Sequence, residues 1–341
     1  MSEYSKHDWV TLSCLTALKP SVCSVVPKSG LSHALRSFDG KKINKAREDA
    51  GHEMSVKGVS IVTFEDDDYP PSLRTIECPP ACLYVKGNIS SLTSCEYASV
   101  SIVGTRTATP QGMHIARSFA RDIAMSHVVV VSGMANGIDS SSHEGALDAD
   151  GITVAVIGTG LGKLSRKRSL VDRISPKGAV ISEFPNMFPG GKWTFSWRNR
   201  IIASISQATL VVEAPKKSGA LITARNAMEM GKDVMACPGL PGMKSFAGCN
   251  QLIKDSAHLA DNSCDVLDIL GVEPLTGDDV ELSESEQEVV NVCQRPMTID
   301  EICEKLNKPP EMVLSVLTVL DLRNIIKKLP GGTYMRSSMN D

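Results

Sequence analysis

The clearest regularity along the chain begins at residue 98. From there, short runs of small and β-branched apolar residues alternate with segments whose apolar positions recur every three to four residues. The pattern predicts strands over 98–103, 128–132, 152–157, 179–182, 208–213 and 233–236, and helices over 110–126, 138–149, near 166–175, 197–206 and 219–230. The runs at 127–131 and 210–212 are apolar without the alternation of a one-sided strand, which marks strands buried on both faces. The expected architecture is therefore α/β, a doubly wound and mostly parallel sheet whose ligands gather at the carboxyl ends of its strands.

Outside that block the pattern changes twice. Residues 1–58 read as a small helical region, with short helices over 9–18, 30–38 and 41–50 punctuated by Pro20 and Pro27. Strands at 61–64 and 82–85 then precede the main alternation and are expected to pack against an edge of the sheet, giving one domain over 59–271. After an acidic linker at 272–281, residues 282–337 read as a helix over 284–293, a second helix opened by the capping box Thr298-Ile-Asp-Glu, a third over 309–323 and a hairpin around Gly331-Gly332. Three helices and a hairpin make a winged helix.

Composition narrows the class. With 42% hydrophobic and 22% charged residues in a chain of 341, a large soluble core is expected. No apolar run approaches membrane-spanning length and MSEYSKHDW lacks a signal-peptide layout, so the expectation is a cytoplasmic protein with no membrane partner. Ten scattered cysteines offer no four-ligand spacing, so no metal is expected. The net charge of −3 conceals an asymmetry: residues 100–260 carry 18 Lys plus Arg against 11 Asp plus Glu. Residues 282–336 carry 7 against 8, too few for a groove-reading domain. A localised polyanion site on the α/β domain fits this distribution.

The candidate chemistry lies where strands end. In SIVGTR, Gly104 and Thr105 turn the backbone and leave Arg106 just before a helix, a geometry suited to a phosphate. The second strand runs into a tight loop with Ser132, Gly133 and Gly137, and Asp139 is read as the cap of the following helix. A Ser132, His143, Asp139 triad can be drawn there, but no nucleophile elbow accompanies it. Gly158-Thr-Gly160-Leu-Gly162 approaches a dinucleotide fingerprint, with Glu183 near the end of the next strand where a ribose carboxylate would sit, yet Lys163 stands at the third glycine position. The run Lys163, Arg166, Lys167, Arg168, Arg173, Lys177 reads either as a solvated face or as part of the ligand side.

The sharpest constellation is TFSWRNRIIASIS with VVEAPKKSGALITARNAMEMGK after it. Arg198, Asn199 and Arg200 are expected to open a helix with Phe195 and Trp197 beside them, supplying both phosphate pairing and base stacking. The plainer alternative is that the arginines only pair with Glu213 and the aromatics only pack. Lys216, Lys217, Ser218, Gly219 and Thr223 form a second anion-binding helix start, and Lys232 completes the set of candidate phosphate contacts.

On these residues the chain resembles the DprA/Smf family of bacterial DNA-processing proteins. The motifs are IVGTR (102–106), SGMANGID (132–139), HEGAL (143–147), ISEFP (181–185), RNRIIA (198–203), VVEAPKKSGALITARNA (211–227) and CPG (237–239), with Leu164-Ser165 where the family has Tyr-Pro. The resemblance implies a Rossmann-like domain that binds single-stranded DNA, forms a homodimer, shields the strand and loads a RecA-type recombinase onto it in natural transformation and recombination, without cofactor or catalytic residues. The alternative is a Rossmann-type nucleotide-processing enzyme that cleaves an N-glycosidic bond; the Ser218-Gly-Ala-Leu stretch does not match the Pro-Gly-Gly-x-Gly-Thr loop of such enzymes.

Overall fold

In a computed structural model, residues 4–17, 20–94, 97–274, 283–322, 325–329 and 331–336 are described. The predicted helix end at residue 18, most of the linker at 275–281 and the third-helix end at residue 323 lie outside the described residues. The chain divides into two units, Met1–Pro274 and Leu275–Asp341.

The first unit opens with helices α1 (Lys6–Thr16), α2 (Val26–Leu35) and α3 (Gly40–Met54). Ser5 and Asp8 form a capping box on α1, and Asp39 caps α3 by accepting from the Lys42 amide. Gly30 interrupts α2 at φ 77°, a left-handed conformation that suits glycine. After β1 (Ser60–Thr63), α4 (Pro71–Arg74) and β2 (Cys82–Gly87), the predicted alternation follows almost residue for residue. It runs β3 (Ser99–Val103), α5 (Pro110–Met125), β4 (Val129–Ser132), α6 (Ile138–Asp148), β5 (Thr153–Ile157), α7 (Arg168–Ile174), β6 (Ala179–Ser182), α8 (Lys192–Ile205), β7 (Ala208–Val211), α9 (Ala220–Glu229) and β8 (Asp233–Ala236). Helix α10 (Ala247–Lys254), strand β9 (His258–Leu259) and helix α11 (Ser263–Leu270) complete the unit, and no sequence pattern predicted them.

Among the described residues the nine strands form one sheet in the order β1-β2-β6-β5-β4-β3-β7-β8-β9. Strands β3 to β9 are parallel, whereas β2 runs antiparallel to β6 and β1 antiparallel to β2, so the upstream hairpin does close one edge as expected. Successive side chains of a strand point to opposite faces, and the two cores show it. Ile102, Val130 and Leu210 pack on one side with Phe119, Ala120 and Ile123 of α5. Val103, Val131 and Val211 pack on the other with Ile201, Ile202 and Ile205 of α8. This is the doubly wound sheet, and its order reverses between β3 and β7, where such folds hold ligands.

One boundary differs from expectation in a way that matters. Helix α8 begins at Lys192, five residues before the predicted start, because Gly191 serves as its cap and the Thr194 hydroxyl accepts from the Gly191 amide at 2.8 Å. Arg198 and Arg200 therefore sit in the second and third turns, buried, rather than at a helix mouth.

In the second unit, α12 (Glu284–Val292), β10 (Met297–Thr298), α13 (Ile299–Leu306), α14 (Pro310–Leu322), β11 (Ile326–Leu329) and β12 (Thr333–Arg336) form a winged helix with sheet order β10-β12-β11. Capping boxes start α12 at Ser283 and α13 at Thr298. Val313, Leu317 and Leu320 of α14 enter the core, while Met312, Leu314 and Val319 stay exposed.

Candidate nucleic-acid interface

A cleft of about 270 Å³ opens over the carboxyl ends of β3, β4 and β5. Its lining draws on four elements: Arg106 from the loop after β3, Gly133 to Asn136 from the loop after β4, Gly158, Thr159, Lys163 and Lys167 from the turns after β5, and Phe195 with Arg198 from α8. Each loop has a local cause. Gly104 lies too close to the Ile138 side chain for a Cβ, and Gly137, at φ 81° and capping α6, lies too close to the Thr105 carbonyl. Those contacts press the first two loops together and turn Arg106 outward, where its guanidinium carbon lies 4.8 Å from the Phe195 ring centroid.

Arg198 forms the floor. It is 4% exposed and donates from Nη1 to the carbonyls of Gly133, at 2.8 Å, and of Val156, so one guanidinium ties together the ends of β4 and β5. Its Nε has no hydrogen-bond partner among the described residues. Burial lowers the arginine's pKa to about 10; the nearby Asp139 favours its charged form and the nearby Arg106 opposes it. Asp139 is not the cap of α6, a place held by Gly137; it stands in the first turn and its carboxylate accepts from the Ala135 amide at 3.2 Å. Burial pushes its pKa up, opposed by Arg198 and Arg106. Lys167 donates to the Ser140 hydroxyl at 2.8 Å, and burial lowers its pKa.

The basic run after β5 divides between the two readings given for it. Lys163 and Lys167 line the cleft, whereas Arg168 pairs with Asp172, Arg173 with Glu144 and Lys177 with Asp150. Neither lysine was among the sequence-predicted site residues. The signal that could have found them is their place after the Gly158 turn, at the same strand-end level as Arg106.

Several predicted residues lie elsewhere. Arg200 is held by Glu183 through two hydrogen bonds of 2.7 Å, donates to the Cys78 carbonyl at 3.0 Å, and stacks 4.4 Å from the centroid of Trp197. The Trp197 indole also donates to Glu183, at 3.2 Å. These three side chains satisfy one another, so Arg200 and Trp197 do not join Arg106 and Phe195, and Glu183 is a structural partner rather than a ribose acceptor. Glu213, the partner suggested for the arginines, instead accepts from the amide and hydroxyl of Thr109 at the start of α5. Lys232 donates to the carbonyls of Ala203, Ser204 and Ser206 at 3.0, 2.5 and 2.6 Å, capping the carboxyl end of α8. It lies at the opposite end of that helix from Phe195.

Helix α9 begins within one residue of its expected start. Gly219 caps α9, Ser218 accepts from the Ala220 amide at 3.3 Å, and Lys216 and Lys217 are exposed in the loop after β7, across the strand-order reversal from Arg106. Asn199 reaches this loop by donating to the Gly219 carbonyl at 3.1 Å, and Thr223 is buried beneath it. The triad is not assembled: Ser132 donates to the Ile102 carbonyl at 2.6 Å, His143 Nδ1 pairs with Thr153 at 2.7 Å, and Asp139 faces Ala135. His143 is fully buried, which depresses its pKa to about 3.

Comparison with known proteins agrees with this architecture. A family model described as DNA recombination-mediator protein A matches residues 60–271, and one described as DprA winged helix domain matches 281–332. Protein Smf of Escherichia coli is 33% identical over 291 residues, covering 81% of this chain and 77% of its own. Protein Smf of Synechocystis is 38% identical over 226 residues; the match takes in 65% of this chain and only 57% of that relative's length. The X-ray structure of DNA processing protein A from Streptococcus pneumoniae superposes with TM-score 0.59 at 31% identity, covering 77% of this chain and 94% of that one. A structure of the Helicobacter pylori DNA processing protein A, described for its single-stranded DNA binding mode, superposes with TM-score 0.55 at 27% identity, covering 62% and 95%.

Proposed function

Since the chain belongs to the DNA recombination-mediator protein A family, we propose that it binds single-stranded DNA in the cleft over β3, β4 and β5, shields the strand and delivers it to a RecA-type recombinase. The observation that carries the binding reading is the Arg106–Phe195 pair at the cleft mouth. A cation and a partly exposed aromatic ring side by side engage a phosphate and a base of the same strand, which is how single strands are held without sequence preference. Lys163, Lys167 and the buried Arg198 extend the positive lining inward, and Lys216 and Lys217 with Ser218 and Gly219 continue it past the sheet's reversal point.

The reading includes recombination and natural transformation as the setting, a homodimer in the cytoplasm as the working form, and no turnover chemistry. Support for a non-enzymatic role comes from the separate engagement of Ser132, His143 and Asp139. The test is fluorescence anisotropy with one labelled strand, alone and annealed to its complement, at two salt concentrations. Tighter binding of the single strand with a steep salt dependence is the expected result, and preference for the duplex would overturn it. Incubation with nucleoside monophosphates should release no free base.

A further inference from the structure

The cleft carries more positive charge than one internal phosphate of a DNA strand requires. Arg106, Lys163, Lys167 and Arg198 all line a space of about 270 Å³. That is below the ~300–1,000 Å³ of sites for drug-sized ligands, so it has room for about one nucleotide rather than a run of several. Among the described residues, Asp139 is the carboxylate that acts on Arg198 and Lys167, and it is itself buried, 6% exposed.

A phosphodiester brings a single negative charge. A phosphate monoester brings about −1.5 to −2 at neutral pH and a third free oxygen. The buried Arg198 adds a second, independent sign that the space is built for an anion: it is 4% exposed, lines the cleft, and leaves its Nε–H without a hydrogen-bond partner among the described residues. A buried positive charge at the cleft floor is stabilised by an anion placed above it.

We propose that this cleft is selective for a phosphate monoester, so that the protein engages the phosphorylated end of a single strand in preference to its interior. The proposal rests on the reading of the cleft as the single-strand site but goes beyond it, since internal binding predicts no dependence on the strand's terminus. A free nucleoside monophosphate carries the same chemistry, and the experiment separates the two sources.

The full chain is titrated with one oligodeoxythymidine carrying an internal label and ending in a 5′-hydroxyl, a 5′-phosphate or a 3′-phosphate. Thymidine monophosphate, thymidine and inorganic phosphate are titrated separately by calorimetry. A phosphorylated end should tighten strand binding by about tenfold or more, and the Lys163→Gln/Lys167→Gln double variant should erase most of that difference. Thymidine monophosphate should bind where thymidine does not. Equal affinity for hydroxyl and phosphate ends, together with no thymidine monophosphate binding, would overturn the proposal while leaving the single-strand reading intact. Binding of thymidine monophosphate without any strand binding would overturn both and leave the cleft a site for the free nucleotide, and binding of neither would likewise remove both.

Discussion

Arg200 and Glu183 form a buried ion pair, its two hydrogen bonds both 2.7 Å long and its side chains 11% and 7% exposed. Two residues farther back along α8 is Arg198, which among the described residues touches no carboxylate within hydrogen-bonding distance and lines a cleft. In one short motif, RNR, the first arginine lines a cleft and the second is consumed by an ion pair of the fold.

Replacing Arg200 by Ala should therefore act on stability. Leaving Glu183 buried without its partner costs about 3–5 kcal/mol, read as a lowered urea midpoint, while the double replacement Arg200→Met/Glu183→Leu should recover most of the loss. An Arg200→Ala protein of ordinary stability but weakened, less salt-sensitive DNA binding would show that the pair opens to admit phosphate.

Arg106→Ala should behave in the opposite manner. The exposed guanidinium makes no ion pair among the described residues, so stability should change little, whereas single-strand affinity should fall and the slope of log K against log salt should flatten by about 0.7. Phe195→Ala should weaken binding by ~1–3 kcal/mol with the slope unchanged, because stacking releases no counterions.

His143 makes stability depend on acidity. Its pKa is about 3 in the fold and the ordinary 6.5 when unfolded, so below pH 6.5 the unfolded chain takes up a proton that the folded chain refuses. The folded state loses ground as pH drops from 6.5 towards 3, by about 2 kcal/mol at pH 5. Thermal melts at pH 7.5 and pH 5 should show this, and His143→Gln should lessen the difference while leaving DNA binding at pH 7.5 largely unaltered. Loss of a turnover reaction in that variant would instead point to catalysis.

The winged helix should not read duplex sequence. Residues 282–336 carry 7 basic against 8 acidic side chains, and α14 presents Met312, Leu314 and Val319 to solvent where a reading helix needs Arg, Lys, Asn or Gln. A protein ending at Gly271 should keep most of its single-strand affinity, and residues 282–341 alone should bind duplex only nonspecifically in a gel-shift series. A tight, sequence-selective complex of that fragment would contradict this.

What was legible in the sequence was whatever depends on near neighbours. The apolar runs at 127–131 and 210–212 announce two-sided strands, and Gly104 and Gly137 mark turns, because burial and backbone freedom are written locally. The start of α8 was missed because Gly191-Lys-Trp-Thr reads as a loop until the Thr194 hydroxyl is seen to meet the Gly191 amide. The fate of each cation was illegible for a different reason. Arg200 is spoken for by a carboxylate 17 positions away, Lys232 by carbonyls 26 to 29 positions away, and Arg173 by Glu144 on another helix, while Lys163 and Lys167 of the same basic run face the cleft. Charge is visible in a sequence; its long-range partners are not.

The amino-terminal helices have a bearing on all of this through two small contacts. Ser13 of α1 donates to the Glu183 carbonyl at 3.3 Å, and Glu53 of α3 accepts from the Asn186 amide at 2.8 Å. Both fall on the segment that leads into α8. Residues 1–58 thus hold the segment that enters α8 from outside the sheet, and a shortened gene beginning at residue 59 would yield a protein in which that entry lacks both ties.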